Sequence, residues 1–246
     1  MSARAAGTVA AVSRIVHGVE MVLATVAAAT IAFLAVRAVG GGTSPAAAAA
    51  VPAGLNGLFG GIRRIYAWRT IGGWAAFLLD SSWALISTTL GVLVNVANLL
   101  QRDSGFGPEF SVRSNRLVFA GGFALKRGFA TTQGPVISNA ALGRGDGLEA
   151  HRNLIERHEG LHVWQQRWFG PLHPLVYLVW GAFGVLVGTV YGGFSRKRRV
   201  NKVRIGKLVE TAAYYDNPFE YWAYRNDQRW ETNGAHPALK WGSFRW

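Results

Sequence analysis

Three long apolar segments divide the chain. Residues 19–39 form a nearly uninterrupted hydrophobic run, residues 71–100 form a second and residues 171–191 form a third. A run of about 20 apolar residues is long enough to cross the hydrocarbon core of a bilayer. The pattern therefore predicts a mainly α, membrane-anchored protein, with crossings at 19–39 and at about 74–100.

The N-terminal region, residues 1–102, is predicted to hold these two transmembrane helices and a linker between them. The first run has two interpretations, a signal peptide cleaved near the alanines at 46–50 or an uncleaved anchor. The long stretch before the run and the length of the run itself favour the anchor. Residues 40–61 are rich in Gly, Ala and Pro, which is typical of a loop or linker.

A single carboxylate, Asp80, interrupts the second apolar run together with two serines. An ionisable residue at membrane depth is a functional candidate. In the simpler interpretation, which we favour, Trp83 begins the true span and Asp80 caps it at the interface.

Residues 103–246 are predicted to form a small α+β domain. The segments 110–119 and 129–137 have the composition of short strands, and the Gly121-Gly122 turn separates them. A strand beside a helix that carries catalytic residues could align an extended substrate, or it could simply cover that helix. Both interpretations stay open from the sequence.

The motif His158-Glu159-x-x-His162 supplies the candidate chemistry. Apolar residues recur at helical spacing from Leu148 to Phe169, Asp146 can cap the helix and Gly170-Pro171 can end it. On a helix, residues four apart share one face, so both imidazoles can bind one metal ion while Glu159 activates water. Gly160 inside the helix predicts the close approach of another segment.

A catalytic zinc ion needs a third protein ligand, for which Glu220 is the main candidate. Asn217 is suited to cap a helix and Pro218 to begin it, which places Glu220 in the first helical turn. Asn217-x-x-Glu220 also fits a capping box, in which the glutamate bonds back to the start of its own helix. Other candidate ligands are Asp216, Glu210, Asp227 and His151.

These residues resemble a known class of enzyme. The HExxH motif with a glutamate on a downstream helix looks like the gluzincin-type zincin metallopeptidases. More closely, Gln165, the Gly170-Pro171-Leu172 turn and Asn217-Pro218-Phe219-Glu220-x-x-Ala223 resemble a group of uncharacterised zincin-like membrane proteins. The resemblance covers about residues 121–226. It implies a zincin-like domain in which His158, His162 and Glu220 bind zinc and Glu159 is the general base.

The composition narrows the choice of metal site and partner. The chain has no cysteine, which excludes disulfides and cysteine zinc ligands, so a zinc site must use His and carboxylates. Half of the residues are hydrophobic and only 16% are charged, which is too apolar for an ordinary soluble domain.

The net charge of +13 is compatible with anionic lipid or nucleic acid as a partner. No nucleic-acid module is recognisable, so no nucleic-acid partner is expected. The basic cluster that begins at 196–199 and continues through Lys202, Arg204 and Lys207 is more simply a topology determinant beside membrane lipid.

The ligand assignment constrains the topology, because His158 precedes the segment 171–191 and Glu220 follows it. Both can reach one ion only if that segment enters and leaves on the same side of the membrane, or packs against the membrane without crossing it. Pro174 and three glycines predict a bent or re-entrant segment. The charge balance then favours an integral membrane protein with both termini and the zinc domain on the cytoplasmic face.

The primary hypothesis from the sequence is a membrane-bound zinc-dependent peptidase that acts on peptides or membrane proteins. Zn²⁺ would be its cofactor and Glu159 its general base. Candidates for stabilising the oxyanion are Tyr215, Tyr221, Tyr224 and His173. The alternative is a catalytically inactive zincin-like scaffold or partner-binding protein.

Overall fold

The computed structural model describes residues 3–143, 147–194 and 204–229, and these are mostly helical. The helices are α1 (Ala3–Ala38), α2 (Thr43–Arg63), α3 (Ile71–Asp80), α4 (Leu85–Leu100), α5 (Pro108–Ser111), α6 (Gly160–Phe169), α7 (Leu172–Phe194), α8 (Ile205–Glu210) and α9 (Pro218–Asn226). The strands are β1 (Leu117–Val118), β2 (Thr131–Gln133) and β3 (Val136–Ser138).

Residues 40–61 are not a linker, because α2 occupies most of them as a helix that packs along α1. The alanines of α2 favour helix, and its glycines allow the two backbones to approach closely. A Cβ on Gly61 would lie 2.6 Å from the Cα of Met21, and one on Gly57 would collide with the carbonyl of Ala24. The Gly- and Ala-rich composition of residues 40–61 therefore reflects the close packing of α2 against α1.

Three helices in the described part of the chain are long and apolar enough to cross a membrane: Ser13–Ala38, Thr43–Arg63 and Leu172–Phe194. The predicted crossing at about 74–100 is not one continuous helix, because α3 and α4 meet at an angle of 88° and together form either one broken span or a re-entrant loop. The fold is thus compatible with a membrane protein that has one more apolar helix than the sequence pattern indicated.

Asp80 does not cap a membrane span. It is the last residue of α3, is 1% exposed and pairs with Arg167, whereas α4 begins only at Leu85. The helix cap in this region is Thr70, whose side-chain oxygen accepts a hydrogen bond of 3.0 Å from the backbone N–H of Gly73.

The three strands form one small sheet in the order β1-β3-β2, in which β1 is parallel and β2 antiparallel to β3. The predicted strand 110–119 is reduced to β1, since α5 takes its first residues and Arg113 and Asn115 adopt positive φ angles. The predicted strand 129–137 is instead the hairpin of β2 and β3, which turns at Gly134.

The sheet packs between α4 and α6. A Cβ on Gly91 of α4 would lie 2.6 Å from the carbonyl oxygen of Gln133. On the other side, Gln166 of α6 accepts a hydrogen bond from the Gly134 N–H (2.6 Å) and donates one to the Thr132 carbonyl (3.3 Å). These contacts fix β2 beside the helix that carries the HExxH motif.

The third apolar segment is one continuous helix, α7, without the predicted bend. A later segment, and not a bend in α7, brings the chain back toward the histidines. The segment 205–217, which begins with α8, runs back along α7. Three glycines of α7 allow this packing, because a Cβ on Gly184 would lie 2.5 Å from the Cα of Ala213 and one on Gly188 2.7 Å from that of Val209. The third glycine, Gly192, faces Ile205 and Leu208. The segment 205–217 therefore places α9 near the first residues of α7.

Candidate metal centre

The helix predicted for residues 148–169 is present, but it is not uniform. It begins with a 3₁₀ turn at Glu149–His151, widens into a π-helical turn at Leu154–Glu159 and becomes regular only in α6. The predicted cap, Asp146, lies outside the described residues. π-helical turns inside helices are frequent at functional sites, and this one contains His158 and Glu159.

Gly160 follows the π-helical turn, and the close approach that its presence predicted is confirmed. The guanidinium of Arg116 lies over it, since a Cβ at this position would be 2.8 Å from Arg116 Nη1. The same Cβ would be 3.1 Å from the carbonyl oxygen of Ile155.

His158, His162 and Glu220 meet in the interior of the protein. The two Nε2 atoms are 3.3 Å apart, and Glu220 Oε2 lies 3.6 Å from that of His158 and 3.5 Å from that of His162. Zinc bound to nitrogen and oxygen at 2.0–2.1 Å in tetrahedral geometry holds its ligand atoms about 3.3–3.4 Å apart. The three atoms thus form a triangle of the size that one such ion requires.

Glu220 is not part of a capping box. The side chain of Asn217 caps α9 by accepting a 3.1 Å hydrogen bond from the Phe219 N–H. Glu220 Oε1 accepts a 3.2 Å hydrogen bond from the hydroxyl of Tyr177, while Oε2 is buried and accepts none within the described part of the chain. A buried carboxylate oxygen without a donor is costly unless a cation binds it, so this atom fits a metal ligand.

The outer nitrogens of both histidines are held by side chains behind them. His158 Nδ1 lies 3.0 Å from Asp227 Oδ2, and His162 Nδ1 lies 2.8 Å from Gln165 Oε1. Gln165 in turn donates a 3.0 Å hydrogen bond to the carbonyl of Phe219. Partners of this kind fix the tautomer that turns Nε2 toward a metal.

Electrostatics in the metal-free site favour charged side chains. Burial lowers the pKa of His158, but the carboxylates of Asp227 and Glu220 outweigh it and raise the pKa to about 9. Burial raises the pKa of Glu220, and the two imidazoles outweigh it and hold that pKa well below its usual range. Without a metal the cluster therefore holds protons that a bound cation would replace.

Glu159 faces a cavity of about 550 Å³ that is also lined by the three candidate metal ligands. Its Oε2 accepts a 2.6 Å hydrogen bond from the hydroxyl of Thr132 on β2. The cavity is of a size that holds small ligands or a few peptide residues. Its wall is formed by α4, by the segment from Leu125 to Gln133, by α6, by the start of α7 and by Glu210 and Tyr214.

The predicted oxyanion stabilisers fall into two groups. His173 lines the cavity, whereas Tyr215, Tyr221 and Tyr224 are outside the described residues that line it. Tyr224 instead packs its ring against that of His158, with centroids 4.4 Å apart.

The tyrosines that do line the cavity, Tyr177 and Tyr214, were missed by sequence reasoning. Tyr177 lies one helical turn after His173, and this spacing could have indicated from the sequence that both side chains face the same site.

The other candidate ligands are elsewhere. Asp227 supports His158 from behind, and Arg229 also pairs with it. Glu210 lines the cavity but is paired with Lys126 and Lys207. His151 lies in the 3₁₀ turn with its Nδ1 3.1 Å from the carbonyl of Gly147, and Asp216 is buried outside the cavity lining.

Comparison with known proteins returned no significant match: no family model, no curated protein and no solved structure matches the chain. The resemblance to gluzincin-type metallopeptidases therefore stays a prediction from His158, Glu159, His162 and Glu220. The positions of these four residues are observed in this chain itself and are not inferred from a relative.

Proposed function

We propose that the protein is a membrane-bound, zinc-dependent peptidase of the zincin-like kind. The observation that carries the proposal is the triangle of His158 Nε2, His162 Nε2 and Glu220 Oε2, with edges of 3.3–3.6 Å. Two imidazoles and one carboxylate are a ligand set of catalytic zinc sites, which keep a fourth position for water or substrate.

Several features of the residues fit zinc in particular. The donor set has two nitrogens and one oxygen, which suits zinc better than magnesium or calcium, whose ligands are mostly oxygens. Glu220 Oε2 has no hydrogen-bond partner among the residues that the structure describes, and Asp227 and Gln165 orient the two histidines from behind. When bound, zinc supplies Lewis acidity, which polarises a carbonyl and makes water more acidic.

Glu159 takes the proton in the proposed reaction. Thr132 donates to Oε2 of Glu159 and so fixes the carboxylate, which leaves Oε1 to accept a proton from the attacking water. As the water oxygen bonds to the carbonyl carbon, the C–N bond breaks and Glu159 passes the proton to the departing amine. His173, Tyr177 and Tyr214 line the cavity as candidates for stabilising the carbonyl oxygen.

The first test is metal content. Protein purified in detergent without chelators should hold about one zinc per chain by mass spectrometry of the metal. The His162→Ala variant should hold none, and Glu149→Gln, which changes an exposed residue, should match the wild type. Wild-type protein that binds no zinc even after incubation with it would favour the inactive scaffold.

The second test is hydrolysis of a quenched fluorescent peptide library in detergent micelles. Glu159→Gln should retain zinc and lose activity by about 10²–10⁴-fold, as expected when a general base is removed. Glu156→Gln is a matched control, since Glu156 carries the same charge nearby and pairs with Arg152 on the surface. Equal activity of Glu159→Gln and wild type would overturn the mechanism.

A further inference from the structure

Two apolar helices begin side by side next to the candidate site. The indole N–H of Trp83, just before α4, donates a 3.1 Å hydrogen bond to the carbonyl of Trp168, just before α7. Gly170 is in close contact with the same indole. The starts of α4 and α7 are therefore at one level of the molecule.

Tryptophans mark this level. Trp168 stacks on Trp222 of α9 with ring centroids 5.6 Å apart, and Trp83, Trp168 and Trp222 all remain 43–50% exposed. Exposed tryptophans at the ends of apolar helices are typical of the bilayer interface. The three indoles indicate the headgroup level on this side of the protein.

The cavity extends inward from this level, because Ser87 and His173, in the first turns of α4 and α7, already line it. Leu90 of α4 and Tyr177 of α7 both line it, and each is five residues past the first residue of its helix, which is about 7–8 Å of helical rise. Tyr177 also touches Glu220, so the candidate metal centre lies at the same depth.

Both helices expose apolar faces that reach the rim of the cavity. On α4, Leu90 is 41% and Leu93 61% exposed, and on α7, Leu178 is 70% and Leu186 61% exposed. Leu90 and Leu178 line the cavity itself, whereas Leu93 and Leu186 do not. Leaving this surface in water would cost about 25 cal/mol for each Å² of apolar area, whereas lipid covers it at no such cost.

We propose that the cavity opens sideways between α4 and α7 into the hydrocarbon, and that its substrate is a peptide segment held in the bilayer. This inference rests on the proposed peptidase function and names its substrate class. The segment reaches the metal ligands past Leu90 and Leu178, just below the headgroups. A membrane-protein chain fits this path, because its hydrophobic residues pass Leu90 and Leu178, while the charged residues that also line the cavity, Lys126 and Glu210, neutralise each other as an ion pair.

The opening is tested by spin labelling, for which a chain without cysteine is well suited. Leu90→Cys and Leu178→Cys, labelled with a nitroxide in phosphatidylcholine vesicles, should collide more with oxygen than with a water-soluble nickel chelate. Leu186→Cys is the lipid-facing control, and Glu149→Cys is the water-facing one. Rim labels that behave like the label at 149 would overturn the lateral opening.

The substrate class is tested with one cleavable peptide in two forms, free in solution and fused to a hydrophobic helix of about 20 residues in the same vesicles. The fused form should be cleaved at least about tenfold faster, since the bilayer concentrates it at the opening. Leu178→Trp should remove most of that advantage, and Leu186→Trp should keep it.

Two failures are distinguishable. Equal cleavage of both forms would reject the membrane substrate while the peptidase function stands. No cleavage of either form by zinc-loaded protein would reject the peptidase function and the substrate class with it, and the nitroxide result would then decide the lateral opening alone.

Discussion

The helix that carries the HExxH motif holds two buried ionic clusters of opposite character. Five residues after His162, Arg167 forms a bidentate pair with Asp80, with nitrogen–oxygen distances of 2.8 Å. Arg167 also donates to the Asn115 carbonyl (2.6 Å), and Asp80 accepts from the hydroxyl of Tyr66 (3.0 Å). The Arg167 cluster is closed, because its two charges are paired and both oxygens of Asp80 accept hydrogen bonds.

The candidate metal-ligand cluster is equally buried and is left open. His158 Nε2 and His162 Nε2 face each other at 3.3 Å, and Glu220 Oε2 accepts no hydrogen bond from the described residues. The comparison shows how a candidate metal-binding cluster differs from a closed ion pair on the same helix. Burial and charge are alike in both, whereas unfilled donor and acceptor positions that converge on one point belong only to the metal-ligand cluster.

The largest expected effect comes from removing a metal ligand. His162→Ala should lower zinc affinity at least about 1,000-fold, because one of only three protein ligands is lost from a site of high binding free energy. Competition with a zinc chelator of known affinity measures this. Asp80→Asn, in the closed cluster, should leave the affinity within a few-fold of wild type. An equal loss in both variants would erase the distinction between the clusters.

Breaking the closed cluster should instead destabilise the fold. Arg167→Met leaves Asp80 buried without its cation and should cost about 3–5 kcal/mol of unfolding free energy, seen as a lower melting temperature of the detergent-solubilised protein. The double variant Asp80→Leu with Arg167→Met should recover much of that loss. Failure to recover would mean that the pair does more than balance its own charges.

The carboxylate behind His158 should have a smaller influence. Asp227→Asn keeps the size of the side chain but weakens its hold on Nδ1, and zinc affinity should fall about 10–100-fold. Glu149→Gln removes a carboxylate paired only on the surface and is the control. Unchanged affinity in Asp227→Asn would indicate that α6 itself orients the imidazole.

The smallest effect is a pH dependence. Because His158 has its pKa raised to about 9 without metal, zinc must displace its proton, so affinity should rise up to about tenfold per pH unit from pH 7 to 9. The stability of the metal-free protein has the opposite sign. The stabilisation from charged His158 is complete below its ordinary pKa of 6.5 and is lost as the pH rises through 9. Zinc titrations and melting curves across this range check both signs, and flat profiles would contradict them.

The sequence predicted the parts of the site that depend on local spacing. His158 and His162 four residues apart, and Glu220 in the first turn of a Pro-started helix, are patterns of one helix each, and the structure brings the three together. The role of Asp80 was not predictable in this way, because its partner Arg167 is 87 residues distant.

Contacts between distant parts of the chain also explain the errors in the predicted fold. The glycine and alanine run at 40–61 has the composition of a linker, and only the position of α1 shows that its glycines face another helix. The strand at 110–119 failed because Arg113 and Asn115 adopt positive φ angles, which composition does not disclose. Tertiary packing decided each of these cases.

The three glycines of α7 that face the segment 205–217 affect the order in which the candidate metal site is assembled. During synthesis the two histidines emerge well before Glu220, and that carboxylate reaches them only after the segment 205–217 has packed against Gly184 and Gly188. A nascent or truncated chain without this segment has two of the candidate ligands and lacks the third. Replacing Gly188 with a bulky residue should therefore yield protein that inserts into membranes but binds little metal. The metal content of the protein would then show whether the segment 205–217 has packed against α7.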